Sequence, residues 1–547
     1  MALMNLSYKI RGTLLFFLLC TLYTVIIIKL YVIQIARGSY YTDLGGKQYH
    51  ISVTAYPSRA FIFDRTGNKP LAMNKESYSA FITPYRLKQS NELKSFLQKH
   101  FTAAYNRLLT HPDDKFMYVK RRLTSDEMNS IKQSNLSDLH VLHEPSRFYP
   151  VPSAGPIVGI TNIDNEGLFG IELKHNELLA GAPSTCLIEK DARSDCFHFK
   201  KETAVIGKEG TPLTLTIDGS LQFLAHQELQ QSMNHFKASA GAVVIMDPTN
   251  GDILTLVSSP DFDPNNTKEL NIEHAKAIPI TESFELGSVI KVFASIAALE
   301  EGVVTPDEII DCKGMKTAYI DGRKINTWRA HGQLPFYEVI ARSNNIGMAQ
   351  VTKRVGDKLY EHYCRVGFGK GTHICLPGEQ CGFVNPPDKW SKQSIISLSY
   401  GYEITATLLQ LARAFSIIAN GGFWIQPRLL MDDPIKKGKT PLYSKNTISQ
   451  MREILAHTTQ QGTTRRAKIE GYNIMSKSGT ANLLIDGKYD EKRNIYTCAG
   501  IVERDGYKRI IITFIKEAHG RNLFASTVAA PLFERVAQKM LIHEKIV

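Results

Sequence analysis

Dense runs of lysine and arginine are missing from this chain, although it holds 65 basic against 53 acidic residues and a net charge of +12. The charges are scattered, with no basic stripe interleaved with aromatics, so no nucleic-acid module is recognisable. The basic excess reads as a solvated surface, with affinity for anionic lipid headgroups or polymers as the functional alternative. Internal repeats and low-complexity tracts are absent, which excludes solenoid and fibrous architectures. None of the eight cysteines stands beside a histidine pair at metal-ligand spacing. No metal and no cofactor is therefore expected. Long apolar runs are scarce too: there is one, at the N-terminus.

That run, Gly12 to Ile28, is seventeen uncharged and mostly apolar residues, and it continues past Lys29 to Ile35. Lys9 and Arg11 precede it. The pattern predicts a membrane helix over 12–35 with 1–11 as a cytoplasmic tail, Lys29 snorkelling to the far interface, and everything after about residue 38 exported. A cleaved signal is the alternative, with Ala36-Arg37-Gly38 as its small-x-small site, but the apolar run is longer than a usual signal core. Seven cysteines would then be exported. Cys186–Cys196 and Cys375–Cys381 are the closest potential pairs, and a fully reduced set stays open.

The remaining chain is long enough for large cores. Residues 39–205 read as an irregular, polar, mixed α/β domain. Short strands are expected in 54–75 around a Thr66-Gly67 turn, with helices in 89–111 and 125–137, and a loop at 159–173 leads into another helix. No catalytic constellation stands out there, and the region reads as a pedestal. From residue 210 to 547 the chain reads as α/β (α+β) with helices around an antiparallel sheet. A strand at Leu213–Asp218 precedes a helix to about Phe236. Two strands joined around Asn250-Gly251 form a hairpin. Two short helices in 336–355 break at Ser343-Asn344-Asn345, a helix fills 404–420, and strands fall at 472–481, 495–503 and 508–516.

Three short patterns in this second region carry chemistry. In the first, Ser288 and Lys291 head an apolar helix running to Gly302, three residues apart and on one face. A serine hydroxyl needs activation, and a lysine amine kept neutral by burial and neighbouring cations can take its proton. The second, Ser343-Asn344-Asn345, offers a hydroxyl and an amide that reach both the lysine and an amide substrate. In the third, Lys477-Ser478-Gly479-Thr480 lies on a strand able to pair with an extended peptide and hold a terminal carboxylate, with Gly479 allowing close backbone approach. Each pattern alone is weak. The ordered set S-x-x-K, S-x-N, K-[ST]-G is the one shared by penicillin-binding proteins and serine β-lactamases.

The chain resembles a class B penicillin-binding protein, nearly end to end. Arg59 to Gly67 is similar to R-G-x-I-x-D-R-x-G, with Ala60 for glycine. Gly167 to Glu172 is similar to G-x-x-G-I-E, and Ala242 to Asn265 to the entry of the transpeptidase domain. Phe284 to Ser288 is similar to x-E-P-G-S, with Leu286 for proline. Ser399-Tyr400-Gly401-Tyr402 and Thr407 to Ala412 are similar to S-F-G-Y-G and T-P-L-Q-L-A, with Glu403 for the second glycine and Leu408 for proline. Those departures are expected to loosen the active-site floor.

The resemblance implies a serine D,D-transpeptidase that is inhibited covalently by β-lactams. Ser288 would be its acylated nucleophile and Lys291 its base, Ser343 and Asn345 a relay, and Lys477, Ser478, Gly479 and Thr480 the substrate-binding strand. The backbone N–H groups of Ser288 and Thr480 would form the oxyanion hole. It further implies peptidoglycan stem peptides as substrate, and a glycan polymerase of the SEDS family with divisome proteins as partners. The Ser399–Tyr402 stretch and the single anchor look more like the division branch than the elongation branch. A class A β-lactamase would need an E-x-x-L-N segment after S-x-N, and none occurs. A β-lactam sensor would need further membrane spans, and an inactive scaffold would have lost a motif.

Overall fold

The computed structural model of the chain describes residues 8–190 and 197–546, in two compact units. The first takes in the residues up to Ser58 with Ala180–Gly210; the second joins Arg59–Leu179 to the residues from Thr211 onward.

The first unit opens with helix Tyr8–Tyr31, which continues through a π turn at Val32–Ala36. The 29-residue stretch Tyr8–Ala36 rises about 1.5 Å per residue and so exceeds the roughly 30 Å of a hydrocarbon core. None of its most apolar window is buried by protein. Thr13, Thr21 and Thr24 donate their hydroxyls to the carbonyls of Lys9, Phe17 and Cys20, which satisfies them without water. The chain is a single-pass, membrane-anchored protein. Helix Gly38–Tyr49 follows, and His50–Ala55 pairs antiparallel with Ser184–Lys190, which pairs with Phe197–Val205. Cys196 lies outside the described residues, so the Cys186–Cys196 pairing does too. Cys375 and Cys381 are free thiols.

At the centre of the second unit is a five-stranded antiparallel sheet. Its spatial order is Ile253–Ser259, Ala240–Met246, Tyr507–Lys516, Lys488–Arg504, Asn473–Ile485. Both faces are covered, and the side chains show it. Val243 and Ile245 point to one core with Leu254, Ile511 and Ile515. Ala242, Val244 and Met246 point to the other with Leu256, Ile512 and Phe514. Helices Gly219–Phe236 and Ala525–His543 cover the first face through Leu229, Met233, Val528 and Phe533. Helices Lys291–Glu300 and Leu408–Ala419 cover the second through Phe293, Ile296, Leu411 and Phe415. This double cover explains why the strand at 240–246 is apolar without alternation.

The last three strands run longer than expected. They are linked by Asp486-Gly487 and Asp505-Gly506, with positive φ at all four residues, as a two-residue hairpin loop requires. The polar composition of 482–494 hid this extension. The hairpin expected around Asn250-Gly251 is present, but its turn is wider: Asp247 donates its N–H to Asp252, and Gly251 donates to Asp247.

The N-terminal part of this unit contains the expected short strands. Ile62–Phe63 pairs parallel to Leu213–Thr214 and antiparallel to Pro70–Lys75. The helix expected over 89–111 is two helices, Ser90–His100 and Thr102–Thr110, because Phe101 turns into the core beside Leu93 and Leu97 with φ −142° and ψ 60°, outside the helical region. Helix Ser125–Ser134 is closed by a Thr124/Glu127 capping box and by Asn135 in the left-handed conformation. The two N-terminal motifs meet in a buried ion triad. Arg59 Nε donates to Glu172 Oε2 and Arg147 Nε to Glu172 Oε1, each at 2.7 Å.

Candidate active site

Ser288 sits on a single 3-10 turn, Gly287–Val289, and the α-helix proper starts at Lys291. Every residue from Lys291 to Leu299 is buried, so the helix is apolar all round and passes through the middle of the core. Phe293 meets Phe368 and Phe415 edge to face at 5.1 and 5.7 Å. Ser288 itself is half-buried and lines a cleft of about 440 Å³.

Lys291 is fully buried. Its Nζ lies 2.8 Å from Ser343 O, 3.3 Å from Ser343 Oγ and 2.6 Å from Asn345 Oδ1, and Ser288 is not among these partners. No carboxylate balances it. Burial first, and then the neighbouring Lys477, hold its pKa well below the usual lysine range. Ser343 presents both oxygens because its backbone is left-handed, φ +56°. Asn344 holds that conformation: its Oδ1 accepts from Gly347 N–H at 2.9 Å and caps helix Asn345–Val355, while its Nδ2 lies 3.2 Å from His331 Nδ1. Asn345 Nδ2 donates to Asn326 O at 2.7 Å, which fixes the amide with its oxygen toward Lys291.

Lys477 belongs to the edge strand of the sheet, and it too is fully buried. Its Nζ donates to Ser343 Oγ at 3.1 Å and to Ser478 O at 2.8 Å. Ser343 Oγ therefore bridges the two lysines. Burial lowers the Lys477 pKa to about 7. Ser478 and Thr480 line the cleft with Ser288, Ser343 and Asn345, whereas Lys477 lies behind Ser343. Lys477, expected to bind substrate, contacts Ser343 Oγ in this structure. Gly479 packs closely against the Ser288 turn. A Cβ there would stand 2.4 Å from Leu286 O and 2.8 Å from Val289 Cγ2, so the Ser288 turn itself requires a glycine at this place. Gly401 meets the same turn from another side: its φ is +90° and a Cβ would lie 2.1 Å from Gly287 O.

The floor is packed despite the departures expected to loosen it. Leu286 and Leu408 are buried in the main core, and Thr407 and Gln410 form a capping box at the head of the latter helix. Glu403 keeps the left-handed φ of the glycine it replaces, +62°, and its N–H donates to Glu285 Oε1 at 2.8 Å.

The cleft also takes in Trp328, Thr463, Arg465, Arg466 and residues 524–527, none of which stood out in the sequence. A Gly-Thr-Thr triplet fifteen residues ahead of Lys477 was their one available signal. Thr464 Oγ1 donates to Thr458 O at 3.2 Å, and Ser478 Oγ donates to Thr463 Oγ1 at 3.3 Å.

A serine on a turn before a buried lysine, a hydroxyl bridging two lysines and an edge strand beside them define a penicillin-reactive serine enzyme. Comparison with known proteins agrees. Residues 241–538 match the penicillin binding protein transpeptidase domain and residues 54–215 the penicillin-binding protein dimerisation domain. The chain is 30% identical to the peptidoglycan D,D-transpeptidase FtsI of Buchnera aphidicola, over 89% of this chain and 87% of the relative. It is 28% identical to stage V sporulation protein D of Bacillus subtilis, over 98% and 86%. Penicillin binding protein 2X of Streptococcus thermophilus has the same fold, with a TM-score of 0.71 at 19% identity over 90% of this chain and 80% of that one. The chain belongs to the penicillin-binding protein transpeptidase family, with the class B arrangement of a dimerisation domain ahead of the transpeptidase domain.

Proposed function

We propose that this peptidoglycan D,D-transpeptidase cross-links stem peptides through an acyl-enzyme on Ser288, in septal wall synthesis. The observation that carries the mechanism is the environment of Lys291: a buried amine with three oxygen neighbours and no counter-charge. In its neutral form the amine donates to Ser343 O and Asn345 Oδ1, and its lone pair is left for a hydroxyl proton. Substrate entering the cleft brings the Ser288 hydroxyl to that lone pair.

Ser288 Oγ then attacks the carbonyl of the penultimate D-Ala as its proton passes to Lys291. The developing oxyanion meets the N–H groups of Ser288 and Thr480. The C–N bond breaks, and the terminal D-Ala leaves with a proton relayed through Ser343. An amine of a neighbouring stem attacks the ester and loses a proton, and Ser288 Oγ departs reprotonated. Ser478 and Thr480 hold the terminal carboxylate with their hydroxyls, while Lys477 acts from behind through Ser343 Oγ. A β-lactam acylates the same serine and leaves nothing to depart.

Lys9 and Arg11 flank the anchor and keep its start in the cytoplasm, so the enzyme acts on the outer side of the cytoplasmic membrane. The Ser399–Tyr402 stretch and the single anchor support the division role, beside a SEDS-family polymerase. Fluorescent-penicillin labelling in cells tests it. Septal signal that disappears with Ser288→Ala is expected, and signal confined to the side wall would overturn the division role.

A further inference from the structure

The cleft beside Ser288 is lined by two cations and, among the described residues, by no acid. Arg465 and Arg466 stand on the turn Arg465–Ala467 that follows helix Lys445–Gln461. Both are exposed, and neither guanidinium makes an ion pair or hydrogen bond among the described residues. Arg413, Arg428, Arg509 and Arg535, by contrast, all engage carbonyls or carboxylates.

The turn is firmly placed. Thr463 donates its N–H to Ala341 O at 3.0 Å, at the end of the helix before the Ser343 turn. Thr464 is fully buried, with its hydroxyl against Thr458 O and 3.4 Å from Ser476 O on the Lys477 strand. A Cβ on Gly462 would stand 2.5 Å from Ala341 O, so this segment is wedged between helix and strand. The arginines rise from a rigid rim directly after it. Trp328 lines the same cleft, its indole fixed by an Nε1–H bond to Arg342 O at 2.7 Å, and offers a flat apolar face for a methylene chain.

Two planar guanidiniums suit carboxylate recognition, and they keep their charge when a buried lysine loses its own. The terminal D-Ala carboxylate already has the Ser478 and Thr480 hydroxyls in the reading above, on which this inference rests. We propose that Arg465 and Arg466 bind a second carboxylate of the stem peptide, borne by the side chain of its third residue. The substrate class is then a stem containing a diaminodicarboxylic acid. A lysine in that place would bring its ammonium alone, whereas the diaminodicarboxylic acid sets a carboxylate beside the same ammonium for the guanidiniums to hold.

The test uses the full chain in detergent and two acyl-D-Ala-D-Ala donor peptides that differ only in the third residue, a diaminodicarboxylic acid or lysine. Acyl-enzyme formation is followed by intact mass. The wild type is expected to react about tenfold faster or more with the dicarboxylate, the size of one charge-assisted contact. In the double variant R465Q/R466Q that ratio is expected to fall toward one, and R465K/R466K to keep part of it. Penicillin, which lacks the second carboxylate, serves as the control: a Ser288 adduct on the double variant shows an intact cleft. A wild-type ratio near one, or a ratio unchanged in the double variant, overturns the inference. Equal slowing of both peptides also overturns it, by assigning the arginines to the terminal carboxylate. Absence of any Ser288 adduct in the wild type would instead remove the acyl-enzyme reading itself.

Discussion

The amide oxygen of Asn345 lies 2.6 Å from Lys291 Nζ, and it is the shortest contact either catalytic-site lysine makes. The side chain cannot turn away, because its Nδ2 is held by Asn326 O. Asn345 thus sets where the amine points, and the backbone oxygen of Ser343 sets the second direction.

Asn345→Ala removes this acceptor. Lys291 becomes an ammonium as it takes the Ser288 proton, and a hydrogen bond to such a charge is worth about 1.5–3 kcal/mol, so penicillin acylation of Ser288 is expected to slow about ten- to hundredfold. Stopped-flow or quenched-flow acylation measures this. A rate within twofold of wild type would show that Ser343 O alone positions Lys291.

Lys477 gives a pH signature in stability. Its pKa falls from 10.5 unfolded to about 7 folded, through burial. Between those values the unfolded chain binds more protons, so stability rises with pH across that window, and the burden of the buried charge is fully present below about pH 7. Lys477→Met removes the titrating group. Its stability relative to wild type is expected to be most favourable near pH 6 and to decline toward pH 10. Thermal unfolding midpoints at a series of pH values read the trend, and a difference independent of pH contradicts it.

Gly479→Ala places a Cβ where Leu286 O and Val289 already stand. Overpacking of this kind costs about 1–3 kcal/mol. Because the displaced neighbour is the turn that carries Ser288, acylation is expected to fall together with the unfolding midpoint. A variant that loses stability but keeps its acylation rate would show that the strand yields and the turn does not.

Glu172→Ala strands Arg59 and Arg147 as two buried cations. Breaking such a network costs about 3–5 kcal/mol. The unfolding midpoint is expected to drop sharply. Below it, penicillin should still modify Ser288, since the triad touches none of the cleft residues. Loss of labelling in folded protein would contradict that separation.

Legibility in the sequence followed the range of the interactions. The Lys291 helix was readable because its apolar spacing and the Gly302 stop are local, and Gly302 does take a φ of +64°. The K-S-G strand is expected at 472–481, and it runs over Asn473–Ile485. The break at Phe101 was not readable, because a core contact, not a Pro or Gly, imposes it. Nor was the turning of Lys477 onto Ser343, 134 residues away in sequence. The packing of Gly479 on the Ser288 turn was hidden for a related reason. A glycine signals close approach, but sequence does not say whether substrate or the Leu286 carbonyl does the approaching. Arg465 and Arg466 belong to no pattern at all; only the fold brings them to the cleft.

The central claim is that Ser288 forms a stable acyl-enzyme. Intact mass spectrometry of the purified chain after exposure to penicillin tests it most directly. The account predicts one penicilloyl adduct per chain, mapped to Ser288, absent in Ser288→Ala, and persisting after free drug is removed. An adduct on another residue would contradict it, and rapid return to the unmodified mass with repeated drug turnover would contradict it and make the enzyme a hydrolase.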